Sequence, residues 1–122
     1  MANYSRLEQN IALSNITSGV FNTAIGSQAF VINNGSYNTA IGSNSLVTNT
    51  TGEYNVACGR YALRYNTTGS ENTALGQGAL AANTTADNNV AVGYQEMMGN
   101  TTGRGTAVGA YALEDQTIGS HN

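Results

Sequence analysis

The sequence predicts an all-β fold, a parallel β-solenoid or β-roll of about six short coils. Three observations carry that prediction. A 16- to 17-residue motif recurs six times, opening at Asn22, Asn38, Asn55, Asn72, Asn89 and Gly105. Each copy holds a short Ala-aliphatic-Gly run with a second turn-forming tract behind it. Asn, Thr and Gly supply 47 of the 122 residues, and the chain has no Pro, Lys or Trp. Charged residues make up 9%, far below the usual quarter. Disordered chains are rich in the charge, Pro and Lys that are missing here, so this composition points to order of an unusual kind.

The consensus is N-T-A-aliphatic-G-x-x-A-L-x-x-N-T-T-G-x-x, and six copies fill residues 22–122 as one repeat domain. Residues 1–21 form a degenerate N-terminal coil or cap. In that cap Asn10–Ser14 imitates the first strand and Asn15–Gly19 the turn. Position 3 is always Ala: Ala24, Ala40, Ala57, Ala74, Ala91 and Ala107. Position 4 is Ile25, Ile41, Cys58, Leu75, Val92 and Val108, and position 9 is Phe30, Leu46, Leu63, Leu80, Met97 and Leu113. These three columns are the expected structural core. Position 5 is Gly26, Gly42, Gly59, Gly76, Gly93 and Gly109, where an unvarying glycine suits a turn with positive φ or a very close neighbour.

A helical repeat fails. Two glycines per copy cost about 1 kcal/mol each in a helix interior, and the N-T-T-G tract favours turns. Two short strands per coil fit better, NTAIG and a second around xALxx. One such coil cannot bury its apolar side alone, so coils stack at the strand spacing of about 4.8 Å. Like residues then stand above one another. Asn22, Asn38, Asn55, Asn72 and Asn89 form one expected ladder, and Thr50, Thr67, Thr84, Thr101 and Thr117 another. Two large apolar residues per coil make a thin core. Oligomerisation is the natural source of further burial.

Several function classes lack support. The net charge is −3, with four Arg, which leaves no electrostatic footprint for nucleic acid or an anionic membrane. No apolar run approaches the roughly 18 residues of a membrane span, and the first 15 residues lack the apolar stretch of a signal peptide. Cys58 stands where its counterparts are aliphatic and reads as a small buried hydrophobe. His121 is tied to no nucleophile motif. The carboxylates Glu8, Glu53, Glu71, Asp87, Glu96, Glu114 and Asp115 recur at no fixed position and in no calcium-loop spacing, so no catalytic, metal or cofactor site is expected. The N-T-T sequons at Asn49, Asn66, Asn83 and Asn100 follow from the turn chemistry of the repeat. Tyr37 and Tyr54 join Tyr61, Tyr65, Tyr94 and Tyr111 as polar aromatics at variable positions. The last four are the candidate recognition surface, for carbohydrate or protein; lateral packing between subunits is the competing use.

The repeat NTAIGxxALxxNTTG resembles those of bacteriophage tail-fibre proteins, which in turn look like the head repeats of trimeric autotransporter adhesins. The likeness covers all six copies, and the string TAIGS occurs twice. It implies a left-handed β-roll assembled as a homotrimer, with one strand of each coil facing the threefold axis. It further implies the shaft or head of an attachment fibre, on a virion or a cell surface, binding a host glycan or protein receptor rather than catalysing a reaction. The repeat is longer than the usual adhesin-head repeat. No coiled-coil stalk, membrane anchor or C-terminal chaperone domain is recognisable, as expected of a fragment or a compact building block. The open final coil makes head-to-tail stacking into an extracellular filament the alternative. An ice-binding solenoid is a third class, disfavoured because the paired threonines are adjacent in a turn instead of alternating along a strand.

Overall fold

In a computed structural model the chain is an all-β parallel β-solenoid of about five turns. The structure describes residues 12–95, 97, 99 and 103–113. Each coil contributes one three-residue strand: β1 Thr23–Ile25, β2 Thr39–Ile41, β3 Val56–Cys58, β4 Thr73–Leu75, β5 Val90–Val92 and β6 Thr106–Val108. They form one six-stranded parallel sheet in chain order. Register follows the repeat, with Ala24 beside Ala40, then Ala57, Ala74, Ala91 and Ala107.

The second predicted strand does not form. The segment from position 6 to position 9 is a run of turns, and its apolar residue adopts a left-handed backbone: Phe30, Leu46, Leu63, Leu80, Met97 and Leu113 have φ between 47° and 56°. That conformation costs a non-glycine residue roughly 1–2 kcal/mol. Burial of the side chain, worth about 1.5–3 kcal/mol, offsets it, because the tight turn aims the residue at the core. Ladder bonds persist without extended backbone. Leu46 N donates to Ala62 O at 3.1 Å and Leu63 N to Ala79 O at 3.0 Å.

The core consists of position 3 alanines, position 8 alanines (Ala29, Ala62, Ala79) and the position 9 column through Met97. Leu113 is 37% exposed. The position 4 column departs from expectation. Ile25 is 59% exposed, Val108 69%, and Ile41, Leu75 and Cys58 also face outward, while Val92 is half-buried. The reason is the period of two along a strand: with the alanine turned inward, its neighbours point out. Cys58 is therefore exposed, and the buried-hydrophobe reading is corrected.

The position 5 glycines carry the corner after each strand, with φ between 124° and 141°. A Cβ on Gly42 would lie 2.7 Å from both the carbonyl carbon and the oxygen of Gly59 in the next coil. Consecutive glycine corners are in backbone contact, and no side chain fits between them.

Two columns of buried asparagine replace apolar filling at the coil ends. In one, Asn55 Nδ2 donates to Asn38 Oδ1 (3.1 Å) and to Gly69 O (2.9 Å). Its Oδ1 accepts from Asn72 N (3.0 Å) and Asn72 Nδ2 (3.1 Å). The second column is Asn33, Asn49, Asn66 and Asn83, joined by Nδ2-to-Oδ1 bonds of 2.6, 2.7 and 2.8 Å. The N-T-T asparagines Asn49, Asn66 and Asn83 are thus fully buried, so the folded chain offers no glycosylation acceptor there. The threonine ladder forms as side chain to backbone: Thr50 Oγ1 donates to Thr67 O (2.8 Å) and Thr67 Oγ1 to Thr84 O (2.9 Å). Thr101, Thr117, Asn100, Glu8, Glu96, Glu114, Asp115 and His121 lie outside the described residues.

At the N-terminal end the alignment shifts. Leu13 N donates to Ala29 O at 3.0 Å and Asn15 N to Val31 O at 3.0 Å, and Asn15 bridges Ile32 in parallel. Ala12-Leu13 therefore occupies positions 8 and 9 of a preceding coil, not the first strand; Asn10 and Ile11 lie outside the described residues.

Candidate functional surfaces

Two outward surfaces have geometry that could meet a partner. The first is the outer face of the parallel sheet. Positions 2 and 4 alternate around the buried alanine, so the face carries a Thr/Val column (Thr23, Thr39, Val56, Thr73, Val90, Thr106) beside the aliphatic column with Cys58 at its middle. Side chains repeat at the strand spacing of about 4.8 Å. Ile25, Ile41, Leu75 and Val108 are each at least 38% exposed, and a contiguous apolar stripe of this kind marks an interaction face.

The second surface lies on the segment after the strand. The four candidate tyrosines separate there into two pairs. Tyr61 and Tyr65 belong to the third coil and are bridged by Arg64, whose guanidinium carbon lies 4.6 Å from the Tyr61 ring centre and 4.9 Å from that of Tyr65. Arg60 lies 4.3 Å over the Tyr61 ring and donates to its hydroxyl at 2.6 Å. Tyr61, Arg64 and Tyr65 wall a groove of about 280 Å³ whose floor is Gly78, Ala81 and Ala82 of the fourth coil. Gln77 and Gln95 complete its rim. Tyr94 and Tyr111 stand apart, in an edge contact with centroids 5.4 Å apart and planes at 76°.

A third aromatic feature is a stack of Phe21, Tyr37 and Tyr54, with centroid separations of 5.2 and 4.9 Å and near-parallel planes. Sequence reasoning missed the stack and Phe21's part in it. All three stand one residue before a copy's opening Asn, so the 16- to 17-residue spacing could have revealed it. Among the described residues, no group of three His, Cys, Asp or Glu side chains comes together, and no helix is long and apolar enough to cross a membrane.

The fold and these surfaces define a repeat β-solenoid. Comparison with protein-family models, with curated proteins and with solved structures gives no match.

Proposed function

We propose that the chain is a structural module of an attachment fibre, of the phage tail-fibre or adhesin-head type, assembled from three copies with their sheet faces turned toward a common axis. One observation carries this reading: the outward aliphatic column Ile25, Ile41, Cys58, Leu75, Val92 and Val108 on a regular parallel sheet. A rod whose interior holds one leucine-like residue and one or two alanines per coil lacks apolar burial, and this stripe is where more is to be had. Cyclic association of identical faces supplies it. The reading makes the module a stiff spacer at a virion or cell surface and assigns it no catalysis, metal or cofactor.

Size-exclusion chromatography with light scattering tests it. The expected mass is about 38 kDa, three times the 12.6 kDa chain. Very large, length-dispersed species would instead favour head-to-tail filaments, and a folded monomer would refute both.

A second reading has one observation behind it. The position 2 column carries Thr23, Thr39, Thr73 and Thr106 outward beside the aliphatic column, a Thr-x-aliphatic array of the kind an ice-binding solenoid presents. Each strand carries one outward Thr at most, so the array alternates Thr with an aliphatic residue and not Thr with Thr. This reading needs the face to remain in water, and freezing hysteresis from a monomeric sample would favour it over the fibre.

A further inference from the structure

We propose that the groove between the third and fifth coils binds one acidic pyranose unit, a uronic or sialic acid residue of a polysaccharide. The groove exists because the fourth coil carries small residues where the third carries large ones. Position 7 holds Gln28, Asn44, Tyr61, Gln95 and Tyr111 in the other coils, and Gly78 in the fourth. Positions 10 and 11 hold Arg64 and Tyr65 in the third coil, and Ala81 and Ala82 in the fourth. At position 7 the side chain is missing from one coil only, so Tyr61 and Gln95 stand about 10 Å apart, two strand spacings, whereas at position 11 the gap continues through Gly99 of the fifth coil. That is room for one ring. The groove volume, about 280 Å³, sits at the small end for ligand sites and suits a single sugar rather than a folded peptide.

The lining matches a pyranose part by part. A sugar has apolar C–H faces and a rim of hydroxyls. The Tyr61 and Tyr65 rings and the methyls of Ala81 and Ala82 offer apolar surface to the first. The amides of Gln77 and Gln95 both donate and accept, as vicinal hydroxyls require.

Charge selects the acidic kind. Arg64 is held between two tyrosine rings, and its Nε is buried with no hydrogen-bond partner. The described carboxylates Glu53, Glu71 and Asp87 stand at positions 16 and 17, away from Arg64 at position 10. Arg64 lines the sugar-sized groove, and a guanidinium fits a planar carboxylate. The proposal deepens the attachment-fibre reading by naming a ligand class, and it rests on that reading for its biological setting alone.

The test is calorimetric titration of the intact chain with 3′-sialyllactose and with trigalacturonate, each against its neutral counterpart, lactose or the carboxyl-reduced trimer. At least one acidic sugar is expected to bind, and its neutral counterpart roughly tenfold more weakly or not at all. Gly78→Tyr should abolish binding by filling the groove. The fold accepts tyrosine at that position, since Tyr61 and Tyr111 occupy it with φ of 65° and 61°, near the 73° of Gly78. Ala82→Tyr, which copies Tyr65, is the second blocking variant. Arg64→Gln should erase the preference for the acid. The proposal is overturned if neither acidic sugar binds, if the neutral sugar binds equally well, or if both folded blocking variants bind as the parent does. Light scattering on the same samples separates the two readings: a trimer that binds nothing overturns the groove alone, and a monomer that binds overturns the fibre alone.

Discussion

Replacing Gly42 with alanine probes how closely the coils are stacked, and the repeat provides a matched control. Gly42 and Gly109 occupy the same position with φ of 126° and 124°. Alanine at either site meets the same backbone penalty, of order 1–3 kcal/mol for a conformation that L-residues avoid. The sites differ in what lies above them. A Cβ on Gly42 would stand 2.7 Å from the Gly59 carbonyl carbon and oxygen and 3.1 Å from Arg60 N, whereas one on Gly109 meets nothing within 4 Å. Ordinary contact begins at 3.4 Å, so the second and third coils would have to part by about 0.7 Å at this corner. The two bonds that cross this joint beside the corner, Gly59 N to Ile41 O and Tyr61 N to Ser43 O, are 2.7 and 3.0 Å long. Stretching them to the edge of hydrogen-bonding range costs about 1 kcal/mol each. Gly42→Ala should therefore lose about 2 kcal/mol more than Gly109→Ala. Urea unfolding followed by circular dichroism, at one protein concentration and with unchanged m-values, measures the difference. If Gly42→Ala costs no more than Gly109→Ala, the account of glycine corners in backbone contact is wrong.

Three further outcomes follow from the same geometry. Asn55→Ala removes four buried side-chain bonds and should cost about 3 kcal/mol or more in the same unfolding assay, because the groups left in Asn38, Gly69 and Asn72 stay buried; a loss below about 1 kcal/mol would mean that water replaces the ladder. Leu75→Asp places a charge on the outward stripe and should convert the proposed trimer to a 12.6 kDa species with its coil fold intact, whereas Leu63→Ala, at a fully buried site, should cost about 2–5 kcal/mol with no such conversion; a Leu75→Asp trimer would remove the stripe from the interface. Cys58 is exposed in the single chain, so assembly through the sheet face should slow its reaction with a thiol reagent until denaturant is added, and immediate labelling of the native particle would refute that packing.

The strand register was legible in the sequence because it is the repeat itself: residues 16 or 17 apart become neighbours, as Thr39 and Val56 do. The glycine corners and the first asparagine ladder were legible for the same reason. The direction of the aliphatic column was misread, although the needed rule is elementary. Ala57 and Cys58 are adjacent on a three-residue strand, and a strand cannot turn both inward. Hydrophobicity favoured placing Cys58 inside. The coil turns the alanine inward, into the core cluster it shares with Leu63. The left-handed Leu63 was beyond sequence reasoning, since leucine in an apolar run signals extended backbone and only the turn to the core overrides it. The groove was half legible: Tyr61 and Tyr65 were picked out as aromatics, but the absence that makes room for a ligand, Gly78-Ala81-Ala82 in the next coil, becomes visible only when copies are compared column by column.

Stiffness, the property a fibre spacer needs, follows from where the bonds run. Between the third and fourth coils the backbone alone provides Gly76 N to Cys58 O, Gly78 N to Arg60 O, Leu63 N to Ala79 O, Tyr65 N to Ala81 O and Thr67 N to Thr84 O, all between 2.7 and 3.1 Å. The Asn55–Asn72 and Asn66–Asn83 links close the buried coil ends. These bonds are spread around the coil, so bending the rod at any joint stretches some of them whichever way it bends. The asparagine columns also resist opening of a joint, because it strips the Asn55 and Asn66 side-chain oxygens of their donors in the next coil, although each Nδ2 keeps a carbonyl of its own coil. A joint of that kind holds the third coil against the fourth at a fixed spacing. Only under that condition can tyrosines on one coil and alanines on the next form a groove of constant width.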